Sequence, residues 1–332
     1  MICLAQIKNR GRLIVKQYKN QTKTKPPKFL VERSQTVYNI GMEKQHIPVL
    51  LSEVLASLAP KPEETYLDLT AGYGGHASKI LDVTGQYKNS VLVDRDINAV
   101  KYLRAKFPPT ITIKHTDFYN AVLQLLESGK TFDMILADFG VSSPQLDEAE
   151  RGFSIKHDGH LDMRMDQAQH LTASDIVNKY SERDLAEIFV HYGEESKGRA
   201  KMLAREIVTH RPIITTGQLA TIVAAKSTRH SRIHPATQVF QAIRIVVNGE
   251  LDEIQDTLPI LPKLLNKNGR LALITFHSLE DRLVKNYFKE ATSHGEESEL
   301  TVLTKKPIVA GPQELVINPR ARSSKLRVAI RN

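Results

Sequence analysis

Three glycines, Gly72, Gly74 and Gly75, crowd into the stretch LDLTAGYGGHASKIL (Leu67 to Leu81), between a short apolar run and a helical-looking tail. Where a strand hands over to a helix, such a turn exposes bare backbone amides at the helix N-terminus, and polar or anionic ligand groups approach closely there. Asp94 lies 19 residues beyond Gly75, at the end of the next apolar run. That is where a carboxylate meets a ribose diol in a nucleotide-binding sheet. GYGGHA also satisfies G-x-G-x-x-A, so a dinucleotide-dependent dehydrogenase and a plain tight turn are competing readings. Asp68, just before the turn, suits a cationic amino-acid ligand better than a pyrophosphate, which favours S-adenosylmethionine with its ammonium and sulfonium. A further acid, Asp138, ends the apolar FDMILAD and is followed by FGVSSPQ. It is placed to hold a substrate amino group, with a loop hydrogen bond as the plainer alternative.

These residues need a scaffold, and the apolar periodicity supplies one. VLLSEVLASL is helical in spacing and ends at Pro60 and Pro62. TYLDLT, SVLVDRD, TITIKHTDF, FDMILADFG and GRLALITFHS read as successive strands, with helices after the first and second, and LTVLTKKP and SKLRVAIRN as final strands. The alternation indicates a doubly wound parallel sheet with helices on both faces. It pauses from about Asp147 to Ile233, where only helical segments occur, among them SERDLAEIFVHYG with a capping box at Ser181 and Asp184. HPATQVFQAIRIVVNGELDEI reads as one long helix with Pro235 in its first turn, and SLEDRLVKNYFKEA as a helix capped by Ser278.

The 332 residues, 41% hydrophobic and 25% charged, have the composition of a globular protein. No run approaches a membrane-spanning length, and the one cysteine, Cys3, excludes an intramolecular disulfide framework or a Cys-based zinc cluster. No metal site is expected, and a cytoplasmic setting fits. The net charge of +9 is concentrated: residues 1–41 carry nine Lys/Arg and one acid, leaving +1 for the remainder. That segment reads as a basic, disordered extension, with an RNA-binding arm, a transit-like segment or an upstream extension before Met42 as other readings. Any nucleic-acid surface in the body must come from local clusters. Arg229 and Arg232, with His230 and His234, form one; Arg320, Arg322, Lys325 and Arg327 form another. His277 and Ser278 lack an Asp partner in sequence, which makes a serine-hydrolase reading weak.

HIPVLLSEVLASL, AGYGGHASKIL, DRD, FGVSSPQLDEAERGFSIKHDGHLDMRMD, HPATQVFQAIRIVVNGELDEI, GRLALITFHSLEDRLVK and NPRARSSKLRVA occur in this order. Together, from about His46 to the C-terminus, they resemble the bacterial 16S ribosomal RNA cytosine-N4 methyltransferase family, the RsmH (MraW) type. Two departures are local: ADFG replaces the family's usual Asp-Leu-Gly, and Gln238 stands where Arg is common. The resemblance implies a Rossmann-like S-adenosylmethionine methyltransferase sheet (42–146 and 236–332) with an inserted all-helical substrate-recognition subdomain (147–235). It implies that Gly74, Gly75 and His76 line the methionine and ribose side of the cofactor and that Asp94 binds the ribose hydroxyls. Phe118 would lie against the adenine, and Asp138 and Gln145 would complete the pocket. The acceptor would be a cytidine in the decoding centre of 16S rRNA, in the small ribosomal subunit, with a homodimer left open.

For transfer to a cytosine amine, the expected hydrogen-bond acceptors are Asp138 and the carbonyls near Ser142–Pro144, including Ser143 and Pro144. Phe153 is a candidate to stack the base, against the alternative of a buried core side chain. LDMRMD (Leu161 to Asp166) has no assigned role, and Arg164 among acids reads equally as a structural ion pair. Two rivals remain: an NAD-dependent oxidoreductase, which would bind nicotinamide, and a non-catalytic rRNA-binding assembly factor, which only a product assay separates.

Overall fold

The computed structural model describes residues 48–226, 234–292 and 298–332. The basic segment 1–41 and, of the first cluster, Arg229, His230 and Arg232 lie outside the described residues, whereas His234 is described and lines the cleft detailed below. The chain opens with α1 (Leu51–Leu58), β1 (Tyr66–Asp68), α2 (Gly75–Thr84), β2 (Val91–Asp94), α3 (Ile97–Lys106), β3 (Thr112–His115), α4 (Phe118–Glu127) and β4 (Phe132–Asp138). A helical stretch follows: α5 (Ser143–Asp147), α6 (Ala173–Lys179), α7 (Glu182–His191), α8 (Lys197–Thr209), α9 (Thr216–Ala225), α10 (Thr237–Asn248) and α11 (Glu250–Thr257). The chain then returns through β5 (Leu265–Thr275), α12 (Ser278–Ala291), β6 (Leu300–Val302), β7 (Ile308–Val309), α13 (Pro312–Ile317) and β8 (Lys325–Arg331).

The sheet order is β3-β2-β1-β4-β5-β8-β6, with β7 also paired to β8. Strands β1 to β5 are mutually parallel, and β8 runs antiparallel to β5, β6 and β7. From β1 the chain winds outward through β2 and β3, then crosses back to β4 on β1's other side. That reversal opens a crevice at the carboxyl ends of β1 and β4, the place where such sheets bind ligands. Alternate residues of each strand feed opposite faces. Leu67, Val93, Ile135, Ala137 and Leu273 pack with α4, α11 and α12. Tyr66, Leu92, Met134, Leu136 and Ile274 pack with α1, α2 and α3.

The helical stretch has its own apolar cluster, built from Ile176, Leu185, Phe189, Leu203, Ile207 and Leu219 and closed by Val239, Phe240 and Ile243 of α10. So α10 serves the helical core although it lies beyond residue 235. Sheet and helices belong to one compact unit, His46–Asn332. No helix among the described residues is long and apolar enough to cross a membrane.

Three local expectations need correction. The helix expected from Pro235 onward is two helices, because Gly249 adopts φ +63 and its N–H closes on Ile245 O. The first therefore starts at Thr237, after the proline. His277, not Ser278, caps α12, in a capping box with Glu280. Helix α4 was not anticipated at all; Asp117 caps it by accepting from Asn120 N–H, and Phe118 is its first residue.

Candidate active site

A cleft of about 820 Å³ opens at the carboxyl ends of β1, β2, β4 and β5 and is covered on one side by the helical stretch. Its floor is the glycine turn. Gly72 adopts φ +51, a conformation glycine takes without cost, and a Cβ there would meet nothing nearer than Thr70 O at 4.0 Å. The backbone at Gly72 is therefore open to a ligand. Gly74 is left-handed as well, at φ +69, and at both Gly74 and Gly75 the space is also taken. A Cβ on Gly74 would fall 2.6 Å from Phe107 Cε2, and one on Gly75 would fall 2.5 Å from Pro48 Cγ. Both let α2 pack closely, and of the two only Gly75 lines the cleft.

Asp94 stands at the end of β2 as expected. Its Oδ2 accepts from Gly72 N–H at 2.7 Å and its Oδ1 from Asp96 N–H at 2.8 Å. Each oxygen keeps a lone pair for a ligand hydroxyl. Burial raises this carboxyl to about 6 against the opposing pull of those two N–H groups. Asp68, by contrast, does not face the cleft. It is buried under the turn, accepting from Tyr66 O–H and Thr70 N–H, and burial raises it to about 7. Its field adds to the rise of Asp138.

Asp138 is the acid that reaches the cleft. Its N–H donates to Thr70 Oγ1, tying β4 to the glycine turn, while its side chain is 23% exposed. The inner oxygen, Oδ1, has no hydrogen-bond partner. Burial, then the fields of Asp68 and Glu280, push this carboxyl well above the usual carboxylate range. His76 is buried beside it, with Nδ1 3.9 Å from Asp138 Oδ2, and its Nε2 donates to Val49 O at 2.9 Å. The histidine thus pins the entry segment to the site. Phe118 lines the cleft with its ring tilted against Phe139, centroids 5.6 Å apart, and its N–H bonded to Glu253. Burial raises Glu253 to about 7, partly offset by Arg95 at 3.0 Å.

Gln145 lines the cleft but uses both ends of its amide: Oε1 accepts from Ser142 N–H and Nε2 donates to Asp96. The carbonyls expected to face a substrate amine are engaged as well. Ser142 O accepts from Leu146 N–H and Pro144 O from Glu148 N–H, because Ser142 begins helix α5. Ser143 is buried in that helix's first turn. Asp138 is the one of these groups with an oxygen that has no partner. Phe153 is 7% exposed, lines the cleft and also belongs to the helical core.

Two networks escaped the sequence. Arg151 and Asp96, both 3% exposed at the side chain, pair at 2.7 Å, and Arg151 also donates to the carbonyls of Arg164 and Met165. The pair spans 55 positions, so no local spacing signals it. It gives LDMRMD its role. Arg164 grips Asp162 through two hydrogen bonds, Met163 takes φ +58, and Asn248 bonds to Met163 O and Met165 N–H. The segment is a knot that locks the helical stretch onto the sheet's site edge, and Arg164 is the structural ion pair.

The second network brings Glu250, His277 and Glu280 within 4.8 Å of one another, a spacing that would suit a cation. Arg244 already supplies the countercharge, bonded twice to Glu250 and 3.9 Å from Glu280. Burial works against ionised Glu280, but the adjacent His277 and Arg244 outweigh it and hold its carboxyl below the usual range.

The C-terminal basic cluster is mostly tied to acids. Arg320 pairs with Asp147 at 2.6 Å, while Lys325 and Arg327 share Asp281 at 3.1 and 2.7 Å. Arg322 is exposed and has no ion pair among the described residues.

A family model described as the MraW methylase family matches residues 43–332. The ribosomal RNA small subunit methyltransferase H of Acaryochloris marina is 48% identical over 293 residues, covering 86% of this chain and 94% of that protein. Its counterpart of the same name in Acidobacterium capsulatum is 44% identical over 301 residues, covering 87% and 99%. Among solved structures, a putative rRNA-methylase from Clostridium thermocellum aligns with a TM-score of 0.43 and 10% identity, covering 86% of this chain and all of that one.

Proposed function

Because the chain belongs to the MraW methylase family, we propose that it is an S-adenosylmethionine-dependent methyltransferase of small-subunit ribosomal RNA, working in the cytoplasm. The acceptor atom in this reading is N4 of a cytidine in the decoding centre of 16S rRNA. The observation that carries it is the meeting, in one cleft, of an open glycine backbone at Gly72, a ribose-type carboxylate at Asp94 and an under-partnered acid at Asp138.

The donor set suits the cofactor. Asp94 offers lone pairs to a diol, Phe118 offers a flat apolar face to a purine, and Asp138 offers an unpartnered carboxyl oxygen whose ionisation a cationic ligand would favour. S-adenosylmethionine brings an electrophilic methyl group on a sulfonium. The protein's task concerns the acceptor, since the lone pair of cytosine's amine is delocalised into the ring. Holding that amine in line is worth several kcal/mol, up to about 7 or more in the best cases. Asp138 accepts an amine N–H, which favours the positive charge that builds on nitrogen as the new bond forms. His76 and Thr70 hold that carboxylate's segment in place, and the Arg151–Asp96 pair fixes the helical side of the cleft.

The test supplies labelled S-adenosylmethionine and small ribosomal subunits lacking the modification, then identifies the labelled nucleoside after digestion. N4-methylcytidine, lost on Asp138→Ala, is the expected result. Label in a different nucleoside overturns the acceptor, and cofactor binding without label overturns the enzymatic reading.

A further inference from the structure

Apart from Arg322, the cations that sequence suggested for RNA are either outside the described residues or held by acids, so most of any RNA surface among the described residues must come from elsewhere. Helix α3, beside the glycine turn, supplies it. Tyr73 lines the cleft at its lip, and the Tyr102 ring packs against it with centroids 5.1 Å apart. Tyr102 is 38% exposed, so part of its ring is open to a ligand. Lys106, one helical turn on, sits 5.7 Å from the Tyr102 ring centre and donates to the carbonyls of Tyr73 and Gly74. Lys101 and Arg104 are exposed on the same helix and have no acid partner among the described residues. Burial, and then Lys79 on α2, lowers the Lys106 ammonium, while Asp82, 3.8 Å from Lys79, opposes this.

We infer that single-stranded RNA next to the target nucleoside lies across this flank, one base stacked on Tyr102 and the adjoining phosphates over Lys101 and Arg104. This rests on the reading above that the substrate is RNA. The chemistry fits each part. An exposed ring receives any base by its π-face, and interleaved cations track a backbone without reading sequence. Unpaired bases are what such a surface can recognise, because stacking needs a splayed face that a duplex hides. Geometry links the platform to the reaction: from Tyr102 through Tyr73 the surface continues directly into the cleft. A nucleoside turned inward would leave its neighbour against the aromatic lip.

The test measures binding of a fluorescein-labelled single-stranded RNA carrying one central cytidine, and KM for small ribosomal subunits, in the full chain. Tyr102→Ala should weaken RNA binding about 10-fold, while Tyr102→Phe keeps it. Lys101→Glu with Arg104→Glu should raise KM for subunits and flatten the slope of log affinity against log salt by roughly 1.4, about 0.7 per phosphate contact. Affinity for S-adenosylmethionine should not move in either variant. A charge-matched control, Lys130→Glu with Lys267→Glu at the opposite ends of the strands, should keep full RNA affinity. Unchanged RNA affinity in the α3 variants, or an equal loss in the control, overturns the inference. Failure of the wild-type chain to label subunits would instead overturn the methyltransferase reading, and the binding comparison would still decide the platform.

Discussion

Strand β4 carries an aspartate at its first turn and another at its end, and the two live in opposite surroundings. Asp133, near the start, accepts from Thr65 N–H, Thr65 O–H and Asn266, with Arg270 nearby. Burial opposes its ionisation, but these donors prevail and hold its carboxyl below the usual range. Asp138, five residues on, faces Asp68 and Glu280 and has an inner oxygen without a donor. Neighbouring strands repeat the contrast. Glu64 and Arg270 form a bidentate pair at the N-terminal edge, whereas Asp68 and Asp94 at the C-terminal edge are raised to about 7 and about 6, chiefly by burial. One edge of the sheet is wired for stability. The other gathers acids whose ionisation burial resists, a cost that a bound cation would offset. Buried acids in this condition mark functional sites more often than structural ones.

The contrast can be broken at four points. Asp138→Ala should lower single-turnover methyl transfer on the order of 10³-fold, the scale of losing one well-placed electrostatic partner, while leaving thermal stability unchanged or higher. A large loss of stability instead would make Asp138 structural. Asp133→Ala should do the reverse, costing about 3 kcal/mol in urea unfolding, about 1 for each hydrogen bond removed, with methyl transfer intact.

The third point is pH. Asp68 and Asp94 hold protons in the folded chain at pH values where the unfolded chain has released them. Native protein therefore binds more protons between about pH 4 and 7, and the contribution of these groups falls as pH rises through that window. Without added cofactor, unfolding free energy should drop by about 4 kcal/mol between pH 5 and 7.5, more than half of it from Asp68, and Asp68→Asn should flatten the slope. Asp133 has the opposite sign: its contribution is present above the unfolded value and is lost as pH falls through its depressed folded value. The smallest effect concerns ligand. Affinity for S-adenosylmethionine should weaken up to about 10-fold from pH 7 to pH 5 as Asp94 takes up its proton, and calorimetry of Asp94→Asn should show no such trend.

The parts of this molecule that sequence discloses are those governed by short range. Alternating strands and helices, the turn at Gly72, and Asp94 and Asp138 at strand ends all follow from spacing, and all stand at the cleft. The boundaries that sequence misplaced turn on single residues, such as Gly249 in the left-handed region and His277 taking the cap from Ser278. What spacing cannot show is who meets whom. Gly74 has Phe107 against it and Gly75 has Pro48, contacts that no spacing announces, and Gly75 still lines the cleft. Gln145 looks free until Asp96 claims it. Lys325 and Arg327 look like phosphate contacts until Asp281 is found between them. In each case a partner remote in sequence decides the role.

The antiparallel strand β8 has a consequence for how the sheet is assembled. It is the shared neighbour of β5, β6 and β7, and its pairing with β5 joins Arg270 to Ile330 across sixty positions. Contacts this distant in sequence form late, since loop closure must be met before any pairing repays it. Strands β1 to β3 pair across only 21 to 24 positions and can wind up with their helices first, whereas β1 meets β4 across 68 and β4 meets β5 across more than 130. The half of the sheet beyond β5 waits for one segment to arrive, and until it does the inner edge of β5, rich in Leu271, Leu273 and Ile274, stays open to other strands. Refolding yield should therefore depend on protein concentration more steeply than stability alone would require.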